Sequence, residues 1–79
     1  MQTLRVYSRQ GCHLCEVLIE ELLDMARGRF ATEVCDIDSR PEWLAEFDTR
    51  VPVVEYQGRV VCEYRLDRQA LGSLLDTLP

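Results

Sequence analysis

An α/β fold running βαβ, short helix, β-hairpin, helix is predicted for this 79-residue chain by three features of its sequence. A β-branched, apolar run at residues 3–8 gives way through Gly11 to a stripe of 3.6-residue period, Cys15, Leu18, Ile19, Leu22, Leu23 and Ala26. Two more β-branched runs, residues 50–56 and 59–63, are separated only by Gln57-Gly58, which is hairpin spacing. The chain then closes on a leucine stripe, Leu71, Leu74, Leu75 and Leu78.

Taken in order, residues 3–8 form a buried first strand and residues 12 to about 26 the first helix. Glu16, Glu20, Glu21 and Asp24 line its outer sides, and Gly28 is placed to stop it as the C′ residue. Residues 31–37 form a second strand, with Cys35 and Ile37 on one side and Val34 and Asp36 on the other. A helix between two strands makes them parallel, in the right-handed crossover. Ser39 and Glu42 have capping-box spacing, although Pro41 restrains Arg40 and can move the cap by one position. Trp43, Leu44 and Phe47 give the short helix one apolar face, and it ends near Asp48-Thr49. In the hairpin the expected pairs are Tyr56 with Arg59, Val54 with Val61, and Val53 with Cys62, so that Cys62 packs against an apolar partner. Asp67 is the expected N-cap of the last helix, with Leu66 and Leu71 at staple spacing.

Composition bounds the function. At 79 residues the chain is read as one domain, residues 1–79, near the lower size limit for a fold held by its core alone. The hydrophobic share of 47% and charged share of 29% are those of an ordinary soluble globule. Net charge is −5, and the nine basic residues, all arginine, form no stripe that could follow a phosphate backbone, which argues against nucleic-acid binding. No apolar h-region opens the chain and no run is long enough to span a bilayer, so a cytoplasmic protein with no membrane partner is expected. Without a secretion signal, the four cysteines read as one reactive pair plus two buried thiols, Cys35 and Cys62.

The reactive pair is Cys12-His13-Leu14-Cys15, at the junction of strand and helix. If Cys12 caps the helix, unpaired N–H groups and the positive end of the helix dipole favour its thiolate. Cys12 is then the attacking sulfur. Cys15, one turn along and facing the core, resolves a mixed disulfide by forming the internal one. Arg9 and the helix terminus should favour the Cys12 thiolate, and Glu16 should oppose it. The same Cys spacing also serves half a zinc site or a copper-carrier loop. Copper carriers run βαββαβ and end on a strand, unlike this order, and Cys35 and Cys62 do not form a second close pair, so no metal ligands are assigned.

With Cys12-His13-Leu14-Cys15 and Val51-Pro52 set into this order of elements, the whole chain resembles the thioredoxin superfamily, and within it the small bacterial glutaredoxin-like proteins. Ser8-Arg9-Gln10-Gly11-Cys12-His13-Leu14-Cys15 is similar to the glutaredoxin segment Ser-Lys-x-x-Cys-Pro-x-Cys, and Val51-Pro52 to its Thr-Val-Pro. The resemblance implies a thioredoxin-like fold, βαβ-α-ββα, with a four-stranded mixed sheet in the order 2-1-3-4 and helices on both faces. It also implies a cis Pro52 beside the reactive pair, where the N–H and C=O of Val51 could pair with a peptide or with glutathione like an added strand. The activity implied is thiol-disulfide exchange, with Cys12 and Cys15 catalytic and Arg9, His13, Val51, Pro52 and Asp67 binding substrate. No cofactor is expected to be resident; glutathione is a candidate reductant. Expected partners are protein disulfides, a small thiol such as glutathione and a thioredoxin-type reductant, met by a monomer. A binding module of the same fold without turnover is the alternative. Three positions depart from the family pattern: Arg50 replaces Thr, His13 replaces Pro, and Tyr64-Arg65-Leu66-Asp67 replaces Gly-Gly-Ser/Cys-Asp. The glycines make room for the γ-glutamyl end of glutathione, so bulky side chains there disfavour tight glutathione binding.

Overall fold

In the computed structural model, which describes residues 2–77, the chain forms β1 (Thr3–Ser8), α1 (His13–Ala26), β2 (Ala31–Asp36), a 3₁₀ turn (Ile37–Ser39), α2 (Pro41–Phe47), β3 (Val53–Tyr56), β4 (Arg59–Glu63) and α3 (Arg68–Thr77). Leu78, the last position of the expected leucine stripe, lies outside the described residues. The sheet order is β2-β1-β3-β4. β1 runs parallel to β2 and antiparallel to β3, and β3 and β4 form the antiparallel hairpin. The mixed sheet and its order are those the resemblance implied.

Alternation along β1 and β3 divides the core between the two sheet faces. Leu4, Val6 and Val54 pack with Leu18, Leu22 and Ala26 of α1 and Leu71 and Leu75 of α3. Tyr7 and Val53 point the other way, with Cys35, Ile37 and Phe47, and Trp43 and Val51 pack against them. Phe47 stacks on Tyr7 at 4.1 Å between ring centroids, and Trp43 meets Tyr7 edge-on at 5.5 Å. Full burial of each Leu or Val here contributes about 1.5–3 kcal/mol, so the two half-cores hold the sheet from both sides.

The structure decides one local alternative and corrects one expectation. The short helix is capped at Arg40 (φ −140°, ψ 129°) with no side-chain cap hydrogen bond, and Pro41 occupies its first turn. Proline denies the preceding residue the helical region, so Ser39 falls in the 3₁₀ turn and its hydroxyl donates to the Asp36 carbonyl at 2.6 Å. In the hairpin, Tyr56 pairs with Arg59 as expected, but a bulge shifts the rest: Val54 pairs with Cys62, and Val53 with Glu63. The extra residue rotates β4 by one position, which carries Cys62 into the α1/α3 core and brings Glu63 to the α2 face, where Arg50 binds it. Cys62 still packs against an apolar partner.

Gly28 (φ 72°) follows the Arg27 C-cap of α1, the left-handed position that glycine enters without steric cost. Asp67 caps α3 through Oδ1, which accepts the Ala70 N–H at 2.9 Å.

Candidate functional site

β1 delivers the chain to Ser8, and Gly11 (φ 75°) turns it into α1. Cys12 is the N-cap, in extended conformation (φ −97°, ψ 103°), and its Sγ accepts the Cys15 N–H at 3.2 Å, the bond a Ser or Asp oxygen makes at other helix starts. The Cys12 carbonyl accepts the Glu16 N–H at 3.1 Å. One turn of helix brings the two Cα atoms to 5.2 Å, with the sulfurs at disulfide distance. Cys15 is 2% exposed and Cys12 is half-buried, so only the N-cap sulfur is presented to a partner.

The remaining sequence-predicted residues are distributed around this pair in different states of engagement. Arg9 was expected to act on Cys12, but its guanidinium is held by Asp38 (Nη2 to Oδ1, 2.8 Å) and Asp48 (Nη1 to Oδ1, 2.6 Å). The hydrogen bond to Asp38, then that to Asp48, raises the Arg9 pKa above its ordinary value, and the two carboxylates offset its charge. It ties the Arg9-Gln10-Gly11 loop to both ends of the α2 layer. His13 is solvated, its side chain 86% exposed, with Nδ1 3.8 Å from Glu16. The Val51-Pro52 bond is cis and Pro52 is buried. The Val51 N–H donates to the Phe47 carbonyl at 3.2 Å, so a partner strand would have to displace that bond to use it. Asp67 is engaged in capping α3.

Tyr64 has a role the sequence did not reveal. It is in the left-handed region (φ 66°), its N–H donates to the Pro52 carbonyl and its hydroxyl to the Thr49 carbonyl, both at 2.8 Å. The phenol therefore bridges the β4–α3 turn and the segment leading to the cis bond. Arg50, next to that bond, is itself held by Glu63 and Glu46 and lies over Phe47 at 5.3 Å. Leu14 and Val17 were also missed. They sit off the main α1 stripe and, with Tyr64, Arg65 and Leu66, line an open groove of about 360 Å³ beside His13. The signal for them was present as a second apolar row, Leu14 and Val17, three positions apart on either side of Glu16.

The Glutaredoxin-like domain (DUF836) matches residues 3–76. The chain belongs to this glutaredoxin-like family. A glutaredoxin-like protein of Dictyostelium discoideum is 28% identical over 95% of this chain and 76% of its own length. The X-ray structure of a structural-genomics target protein from X. campestris is 32% identical, with a TM-score of 0.73 over 96% of this chain and 99% of that one. The holo form of glutaredoxin C1 from populus tremula x tremuloides aligns at a TM-score of 0.60 with 22% identity, over 92% of this chain and 82% of that one, and so shares the fold. Among the described residues of this glutaredoxin-like chain, no group of three or more His, Cys, Asp or Glu side chains is placed to hold a metal ion. No helix among them is long and apolar enough to cross a membrane.

The other two thiols of this glutaredoxin-like protein are more deeply buried than Cys12. Burial, first among the causes in both, pushes the Cys35 and Cys62 thiols up. Protonated, buried thiols do not attack. Brief iodoacetamide treatment of the reduced, folded protein near neutral pH is expected to label Cys12, with Cys35 and Cys62 labelled only after unfolding. Peptide mapping by mass spectrometry checks this, and labelling of either buried thiol at the Cys12 rate would contradict it.

Proposed function

We propose that this chain is a thiol-disulfide oxidoreductase acting on protein partners, with Cys12 attacking and Cys15 resolving. The observation that carries this is Cys12 at the α1 N-cap, half-exposed, its sulfur receiving the Cys15 N–H and lying at disulfide distance from a buried Cys15. In the reduced protein that N–H and the helix terminus favour the Cys12 thiolate. The thiolate attacks one sulfur of a partner disulfide; that S–S bond breaks, the leaving sulfur departs as thiolate and takes a proton from solvent, and a mixed disulfide remains. Cys15, losing its proton to solvent, attacks Cys12 Sγ, forms the internal disulfide and releases the partner's second thiol. Two electrons pass to the partner, and an external dithiol or two small thiols restore the reduced pair.

Arg9 and Asp67 serve by holding the loop and the α3 start in place, Val51-Pro52 aligns the partner's backbone through the Val51 carbonyl, its N–H being held by Phe47, and His13 faces the partner from the helix start. A protein dithiol or thioredoxin-type reductant is favoured over glutathione, because Tyr64 bridges the two segments between which the γ-glutamyl end would lie and Arg9 is already paired. The two buried free thiols fit a reducing cytoplasm, and a monomer is part of the same reading. Titrating the protein against a graded ratio of reduced to oxidised dithiothreitol, with intact mass and metal content read on the same samples, tests the activity's prerequisite. Reversible loss of two hydrogens mapped to Cys12 and Cys15 is expected. Thiols that stay freely alkylatable after oxidation would overturn it.

A further inference from the structure

We infer that the proton Cys15 gives up when it resolves the mixed disulfide leaves through a short relay of Ser8 and Asp36, with Asp36 as its acceptor. The inference rests on the disulfide-exchange function proposed above and gives its second step a base. At 2% exposure Cys15 has almost no bulk water to take its proton. It does line a small groove of about 250 Å³ on the β2 side of α1, with Ser8, Arg9, Glu16, Val34 and Asp36. Alternation along β1 turns Ser8 to the face of Leu4 and Val6, which pack against α1. Asp36 stands opposite Ser8 in the parallel β1–β2 register, so its side chain shares that face. Cys15, on the buried stripe of α1, meets the sheet from above.

Ser8 supplies the sign that water belongs there. It is 7% exposed, and its hydroxyl has no hydrogen-bond partner among the described residues although it lines the groove. A buried hydroxyl without a protein partner takes water, and one water needs about 30 Å³, for which the groove has room. Asp36 Oδ1 accepts the Asp38 N–H at 3.0 Å, which fixes the carboxylate and leaves Oδ2 without a partner among the described residues. The other charged groups on the groove are committed elsewhere. Arg9 is paired with Asp38 and Asp48, and the Glu16 side chain is 70% exposed and lies 3.8 Å from His13. In the resolving step Cys15 passes its proton to the groove water, which passes one of its own to Asp36 Oδ2. The Cys15 sulfur bonds to Cys12 Sγ as the bond from Cys12 to the partner sulfur breaks, and the partner leaves as a thiolate that takes a proton from solvent. Asp36 then returns its proton to solvent at the mouth of the groove.

The reduced protein is mixed with equimolar dithiodipyridine, a disulfide whose two halves are released one at a time as absorbing thiopyridone. The first phase, which speeds up with concentration, reads attack by Cys12; the second, whose rate constant does not depend on concentration, reads attack by Cys15. Asp36→Asn keeps the oxygen that accepts the Asp38 N–H and removes the proton acceptor. Near neutral pH it should slow the second phase by about a hundredfold, the lower end of general-base catalysis, with the first phase close to the wild-type rate. The slowed phase should rise with pH as hydroxide takes over the proton, and formate in the buffer should restore it in proportion to concentration. Ser8→Ala should slow the same phase by a smaller factor. Charge alone would act with the opposite sign, because removing a carboxylate beside a thiol favours the thiolate and would make the Asp36→Asn variant faster. A second phase that is unchanged or faster in Asp36→Asn, or that Glu16→Gln slows instead, overturns the relay and leaves disulfide exchange standing. Release of a single thiopyridone with no internal disulfide by mass removes the exchange activity and the relay with it.

Discussion

Cys12→Ser is expected to reduce disulfide exchange to the uncatalysed background, whereas Cys15→Ser should accumulate a mixed disulfide with the partner. The difference follows from exposure. With Cys12 removed the pair retains only Cys15, 2% exposed, which a partner disulfide cannot reach. With Cys15 removed, Cys12 still attacks from the helix start, but the resolving step is lost and the partner stays bound through sulfur. Serine is at least as good an N-cap as cysteine, so Cys12→Ser keeps the hydrogen bond from the Cys15 N–H and the helix with it. Loss of activity in that variant then reports chemistry, and unchanged thermal unfolding confirms it. Non-reducing mass spectrometry after incubation with an oxidised protein substrate reads both results. Equal trapping by the two variants would mean that the roles are not divided in this way.

Tyr64→Gly should improve reduction of the oxidised protein by glutathione by roughly ten- to a hundredfold. Fitting a ligand against a bulky side chain costs about 1–3 kcal/mol, and each ~1.4 kcal/mol is tenfold. The phenol hydroxyl donates to the Thr49 carbonyl, which fixes the ring across the gap and makes the obstruction independent of rotamer. Arg65 acts in the opposite direction if it holds a glutathione carboxylate, which is why the substitution is confined to Tyr64. Stability should change little. A non-glycine residue in the left-handed region costs about 1–2 kcal/mol, which glycine relieves, while loss of the Tyr64 hydrogen bond costs about 0.5–1.5 kcal/mol. Stopped-flow or coupled assays with glutathione and with a thioredoxin system, on wild type and variant, make the comparison. Efficient turnover of the wild type with glutathione, or no gain in the variant, would remove the crowding mechanism.

The Cys12–Cys15 pair and its place at the start of α1 were legible because that geometry is local. Cys12, Cys15 and the start of α1 lie within one helical turn, and an N-cap is defined by neighbours three positions away. Asp67 was legible for the same reason, as the cap of α3. At Ser39 and Glu42 the capping-box spacing gave way to Pro41, which moves the cap one position to Arg40 as its restraint on that residue allowed. The β4 register was missed because a bulge leaves the turn pair Tyr56–Arg59 intact and moves only the residues beyond it.

Periodicity and punctuation along the chain are set by backbone geometry and by which face of each element is apolar, so the order of elements and the buried stripes could be read directly. Pairing across the fold is a different matter. Arg9 meets Asp38 and Asp48, 29 and 39 positions away, and no property of the reactive segment indicates that its cation will be taken up by two carboxylates of the α2 layer. Tyr64 adopts the left-handed conformation because its N–H and hydroxyl both find carbonyls on the segment around the cis bond, partners that exist only once β4 has packed beside β3. Leu14, Val17 and Tyr64 become one apolar surface only when α1 and the β4–α3 turn are brought side by side. The local order follows from short-range sterics and hydrophobic pattern, and the arrangement of side chains around the cysteine pair follows from long-range packing that juxtaposes residues no sequence window contains.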